Sequence, residues 1–283
     1  MKYALPPSYL WTIGFLLACW LPAQAQVTIG STGAARESFN ATGSGTTLPA
    51  HWKMPAAGGG QTANWSTGSN VTTLTGAAHS GTPATGGRYN WGTAQGTDRA
   101  VGFMSDGTYG SPNAILVRYQ NKTGAAVSSF NVTFQLERYR IHTAPFLLAF
   151  FTSSNDATYT ARSEGAISSA VFAGRASAYS FTTPQTVYKT VTLTENIPVD
   201  GSIYLKWVFI TAGGASQGLG LDNVMLSLNA ATPAVNASLA DALTTDVNNN
   251  SKANEGDKLT YTTTFSSMGK DAFHLFLNIS LTT

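Results

Sequence analysis

Charge is scarce in this chain. Only 11% of its 283 residues are Asp, Glu, Lys or Arg, against about 25% in an average soluble protein. With 16 basic and 14 acidic groups there is no surplus of either sign, so no row of cations stands ready to neutralise phosphates and a nucleic-acid binder is excluded. Cysteine is almost missing as well: the sole one, Cys19, falls in a segment expected to be removed. An exported chain with no disulfide must be held together by the size of its core or by bound metal. From Val27 onward no stretch of useful length carries apolar residues at a helical period. What is present is glycine, 28 residues of it, with abundant Thr, Ser, Asn and Ala, a composition suited to short strands and turns. The expected fold class is all-β.

Residues 1–25 read as a secretory signal peptide, with a charge at Lys2, an apolar run from Tyr9 to Leu21, and the small-residue exit Ala23-Gln24-Ala25 after Pro22. Cleavage there leaves Gln26 first and takes Cys19 with it. The run is shorter than the roughly 20 apolar residues of a membrane span, and Leu16-Leu17-Ala18-Cys19 only loosely matches a lipidation site. The expected destination is secretion or the cell surface, with no membrane span.

Along the mature chain, period-two alternation recurs. Phe130, Val132, Phe134 and Leu136 alternate with Asn131, Thr133, Gln135 and Glu137, which predicts a strand with one face in the core. Past Glu137 the parity slips, since Tyr139 and Ile141 take over the apolar positions from Arg138 and Arg140; a β-bulge or a strand end would do this. Further strands are expected over 114–119, 146–151, 187–193, 203–210 and 219–228. The run Phe146 to Phe151 lacks alternation and reads as buried on both faces, and Trp207 reads as core. About ten strands make a two-sheet sandwich of jelly-roll type over 26–228, with 56–63 and 76–87 as Gly-rich surface loops. The texture changes at a linker, 229–233, and 234–283 reads as the opening of a second β-module that stops part-way. Its strand Phe273 to Leu281 would then lack a facing sheet and be prone to association.

The clearest chemical pattern is Asp246-x-Asn248-x-Asn250-x-Lys252-x-Asn254-x-x-Asp257. Oxygen donors at positions 1, 3, 5, 9 and 12 of such a loop, with a backbone carbonyl at 7, can surround Ca²⁺ at the weak affinities of extracellular sites. Ser251 stands where a calcium loop favours Gly, and the same residues also suit a polar loop of Asx-turns. Gly214-Ala215-Ser216-Gln217-Gly218 matches a hydrolase nucleophile pattern, with His274 downstream. That motif, however, needs a strand-to-helix turn, and a strand comes next here. Glu37, Glu137, Glu164 and Glu195 are scattered, with no paired carboxylates for glycoside hydrolysis, and the four histidines have no zinc spacing. Catalytic residues are therefore not expected. Trp65 and Trp91 lie in polar, Gly-rich surroundings, Trp91 beside Arg88 and Tyr89; exposed rings with polar neighbours would stack on a sugar, although aromatics also plug the ends of sandwiches.

Four segments carry a resemblance. Glu37-Ser38-Phe39, Leu48-Pro49-Ala50-His51-Trp52, Asp98-Arg99-Ala100-Val101-Gly102 and Gly218-Leu219-Gly220-Leu221-Asp222-Asn223-Val224 occur in the order seen in jelly-roll modules of secreted bacterial surface proteins. They are similar to cleaved-adhesin and carbohydrate-binding sandwiches. Residues 241–262, from Asp241-Ala242-Leu243 to Leu259-Thr260-Tyr261-Thr262, resemble the start of an Ig-like repeat of bacterial exoproteins and adhesins, with Glu255 where that family usually has Pro. The resemblance implies an adhesive or accessory role without a catalytic apparatus, partners among glycans or cell-surface proteins, and a structural Ca²⁺ between Glu37 and Asp222. The resulting expectation is a non-catalytic module for adhesion or display with possible glycan binding. The alternative is an accessory binding domain of an extracellular hydrolase.

Overall fold

The computed structural model describes residues 27–30, 33–79, 85–93, 95–142, 144–172, 179–211, 217–228 and 234–268. The expected signal segment 1–25, Ser216, the expected linker 229–233, His274 and the strand expected over 273–281 lie outside the described residues. The chain is all-β. Its early strands are β1 (Val27–Ile29), β2 (Ala34–Glu37), β3 (Trp52–Pro55), β4 (Asn70–Val71), β5 (Gly76–His79), β6 (Gly87–Trp91) and β7 (Ala100–Met104). The long central ones are β8 (Asn113–Asn121), β9 (Phe130–Ile141) and β10 (Phe146–Ser153), followed by the short β11 (Thr160–Ala161) and β12 (Ile167–Ser168). Then come β13 (Tyr179–Leu193), β14 (Ser202–Thr211), β15 (Gly218–Leu228), β16 (Ala234–Thr245) and β17 (Lys258–Met268).

Two sheets form the sandwich. One runs β11-β10-β14-β8-β3-β4, with β1 on β8 and β12 on β10; the other runs β13-β9-β15-β7-β6-β5, with β2 on β15. The first two strands thus enter opposite sheets. β16 and β17 form a separate antiparallel hairpin. The sandwich exceeds ten strands because β3, β4, β11 and β12 span only two to four residues, too short for alternation to show.

Alternation decides the core. Phe130, Val132, Phe134 and Leu136 from β9 meet Ile203, Leu205, Trp207 and Phe209 from β14 in one buried cluster. Trp207 stacks at 5.9 Å on Trp52 and at 5.3 Å on Phe150. Contrary to expectation, β10 is not buried on both faces. Phe146, Leu148 and Phe150 point into the core, whereas Leu147 is 38% exposed. Ala149 and Phe151 pack instead on an outer cluster with Trp65 and Tyr204. The apolar run is real, but the second cluster needs only part of its outer face.

Segment 56–63, expected as a plain surface loop, is tied to the sheet beneath it, because the Lys206 ammonium donates to the carbonyls of Gln61 (3.3 Å) and Ala63 (3.4 Å). Of segment 76–87, residues 76–79 form β5.

Candidate functional site

The parity slip after Glu137 is a bulge within β9. Arg138 and Arg140 pair with adjacent residues of β15, Leu219 and Gly218, so Tyr139 is the extra residue. A second irregularity lies on β15, where Gln135 pairs with Asp222 but Thr133 pairs with Met225, one residue too many. Asn223 absorbs it at φ 46°. Before this bulge Leu219 and Leu221 face the core; after it Val224 and Leu226 do. Asp222 is thereby left on the outer face, beside Glu137.

A third carboxylate reaches the same place from the segment leading into β7. Donor oxygens of Asp98, Glu137 and Asp222 all lie within 4.8 Å of one another; Asp98 is exposed and the other two are buried. The Tyr139 hydroxyl donates to Glu137 Oε2 at 2.7 Å, and the Asn223 amide donates to Asp222 Oδ2 at 2.7 Å. Asp222 Oδ1 is buried with no hydrogen-bond partner. Burial, joined by the charges of Glu137 and Asp98, pushes the Asp222 carboxyl up to about 8. Burial also raises Glu137, and burial with the neighbouring Glu137 carboxylate raises the Tyr139 hydroxyl.

Around the carboxylates Tyr89, Trp91, Ala100, Met104 and Tyr139 form a small apolar cluster, with Trp91 stacked on Tyr139 at 5.3 Å and 12°. The indole N–H of Trp91 donates to the Leu219 carbonyl at 2.9 Å. Close approach here requires Gly220, since a Cβ would sit 2.8 Å from Ala100 Cβ and 2.9 Å from Trp91 Cδ1.

These positions correct two expectations. Glu37 and Asp222 do not face one another: Glu37 pairs with the core-facing Val224, its carboxylate accepts the Phe39 backbone N–H at 2.7 Å, and burial raises it. Asp222, ahead of the Asn223 bulge, lies on the opposite face. Sequence separation hid the partners Asp98 and Glu137, and the only local signal was the parity slip after Glu137. The expected aromatic platform is likewise corrected. Trp65, Tyr89 and Trp91 are buried at 4%, 3% and 0% exposure, so none of these three rings is offered to a sugar. Trp65 lies under the Lys53 ammonium, 3.8 Å from the ring centre, and its indole N–H donates to the His51 carbonyl at 3.0 Å. Arg88 donates to the Thr73 carbonyl at 3.0 Å and to that of Ala56, closing a loop.

The β16–β17 loop gathers its oxygens. Asp246 accepts the backbone N–H groups of Asn250 and Ser251, and Asp257 accepts those of Val247 and Asn254. The Asn254 amide nitrogen lies 2.8 Å from the Lys252 carbonyl, 3.1 Å from Asn250 Oδ1 and 3.5 Å from both Asn248 Oδ1 and Asp257 Oδ2. Oxygens of Asn248, Asn250, Lys252 and Asp257 thus surround the Asn254 amide, while Asp246 caps the turn through backbone N–H groups.

A cleft that sequence reasoning missed lies beyond the end of β10. It encloses about 320 Å³ and is lined by Thr152, Ser153, Ser154, Asn155, Thr158, Thr160, Arg162, Glu195 and Asn196. Among these residues Arg162 is paired with Glu195, the Thr152 hydroxyl donates to Glu195 at 2.6 Å, and Arg162 Nε donates to Thr152 at 2.9 Å. Hydroxyls and amides from separate turns converge only after folding, so no sequence pattern marks them. Among the described residues no helix is long and apolar enough to cross a membrane.

No family model matches the chain, and no curated protein does. Among solved structures, it is similar to one cleaved adhesin domain of Lys-gingipain from Porphyromonas gingivalis at 18% identity and TM-score 0.40, covering 69% of this chain and 98% of that one. It is similar to another cleaved adhesin domain of the same protein at 16% identity and TM-score 0.37, covering 68% and 98%.

Proposed function

We propose that this chain is an exported, non-catalytic adhesion module of a secreted or cell-surface bacterial protein, and that it recognises glycan through the cleft around Arg162 and Glu195. The cleft carries the reading. A sugar presents many hydroxyls, and hydroxyl and amide groups flanking one pre-formed ion pair match them as donors and acceptors. Thr158, Thr160 and Asn196 stand at its wall. Reaction chemistry has less support. Of the clustered carboxylates Asp98, Glu137 and Asp222, only Asp98 is exposed; Glu137 and Asp222 are at 3% and 0% exposure, so the cluster offers no exposed pair to flank a glycosidic bond. Gln217 leads into β15, a strand and not the helix that a nucleophile elbow requires. We further propose that the 246–257 loop takes up Ca²⁺, its Asn254 amide giving way to the ion.

A glycan array probed with the full chain tests the reading. Retention of a defined subset of glycans, lost in the Thr158→Ala/Asn196→Ala double variant, is the expected result. No retention by the native chain, or equal retention by the variant, would overturn it. Release of reducing sugar from a retained polysaccharide would make the protein an enzyme instead.

A further inference from the structure

We infer that Asp98, Glu137 and Asp222 form a divalent-cation site on the outer face of the β9–β15 pair, distinct from the 246–257 loop and independent of glycan recognition.

The first ground is spacing. Oxygens bound to one Ca²⁺ lie roughly 2.3–2.6 Å from it, so any two are at most about 5 Å apart. The carboxylates here meet that limit, all within 4.8 Å. The second ground is the state of Asp222. Its side chain has 0% exposure, yet Oδ1 has no donor, and a buried carboxylate oxygen left unmatched is costly. The charged side chains acting on it most strongly are two more acids, which deepens the cost. The third ground is the outer layer. Tyr139 and Asn223 each donate to one oxygen of a buried carboxylate, the arrangement that orients metal ligands; Asp222 Oδ1 stays without a donor, and Glu137 Oε1 has only a long contact from the Thr186 hydroxyl at 3.5 Å.

An all-oxygen donor set suits a hard cation. Ca²⁺ accepts the irregular geometry that two strands and a loop impose, whereas Mg²⁺ demands a near-regular octahedron. Asp98 is the gate: exposed, it leaves one side open for the ion and its remaining waters. The bound ion would tie the loop ahead of β7 to the centre of the sheet.

The test uses the full chain with the other loop silenced by Asp246→Asn and Asp257→Asn. Thermal melts compare millimolar CaCl₂ with EDTA, and terbium luminescence is excited through Trp91 and Tyr139. The expected result is a melting point several degrees higher in calcium and a saturable terbium signal that calcium displaces. Adding Asp98→Asn, at an exposed position that leaves the packed cluster untouched, should abolish the calcium shift and weaken terbium binding about tenfold or more, with an unchanged circular-dichroism spectrum. Identical melts in calcium and EDTA with no terbium signal would overturn the inference and leave a shared proton as the way these acids coexist. A calcium shift that survives Asp98→Asn would overturn it as well.

Discussion

Asp106 shows how much one side chain can hold. Its carboxylate accepts the backbone N–H groups of Tyr109, Gly86 and Thr108, and the Thr108 hydroxyl, bracing the turn after β7. Those donors, the Tyr109 N–H first, hold it well below the usual 3.8. A depressed folded-state value means that the unfolded chain takes up the proton first. The stability contributed by Asp106 is therefore complete above about pH 4 and is lost as pH falls further. Urea denaturation at pH 7 and pH 3 should show Asp106→Asn destabilising the protein at pH 7 and by less at pH 3. Gly220 is a second position where a single residue decides the local packing. Because a methyl group there would press on Ala100 Cβ and Trp91, Gly220→Ala should cost about 1–3 kcal/mol, read as a lower urea midpoint with an unchanged slope.

At the scale of the strand, β15 is the element where local pattern and outcome diverge. Its apolar residues place it in a core, and alternation alone would put 219, 221, 223 and 225 on one face. One residue in left-handed backbone, Asn223, moves Val224 and Leu226 into the core instead, while Asp222, ahead of the bulge, keeps the outward facing that alternation gives it. Asn tolerates that conformation where a β-branched residue does not. Asn223→Val should therefore be less stable than Asn223→Gly by about 1–2 kcal/mol, a difference that paired chemical-denaturation curves can resolve. The same element explains what could be read in advance. β8, β9, β14 and β15 were legible as strands because each holds a long run of strand-forming apolar residues, and β9 up to Glu137 also repeats its alternation. The short edge strands were not, and neither was the carboxylate cluster, since bulge positions on two strands jointly set which acids meet. Trp65 and Trp91 misled for a related reason: glycine-rich neighbours suggest exposure locally, but side chains from distant strands cover the rings, Lys53 and Tyr204 on Trp65 and Tyr139 on Trp91.

Over the whole molecule, the sandwich closes on an aromatic core with no disulfide among the described residues, and its two sheets share the first two strands between them. The β16–β17 hairpin pairs with neither sheet. A chain ended at Leu228 should therefore keep the cooperative melt of the full protein, with a midpoint within a few degrees, as calorimetry would show. Loss of cooperativity on that truncation would mean that the hairpin completes the sandwich.

The sequence by itself determined that this is an all-β sandwich and which residues of β9 up to Glu137 face the core, because alternation, turn formers and the shortage of charge are local properties that survive in any register. Only the tertiary structure decided which acids become neighbours, which rings are covered and where hydroxyls converge into a cleft. Those depend on register between strands far apart in the chain, and a one-residue bulge reverses the facing of everything beyond it.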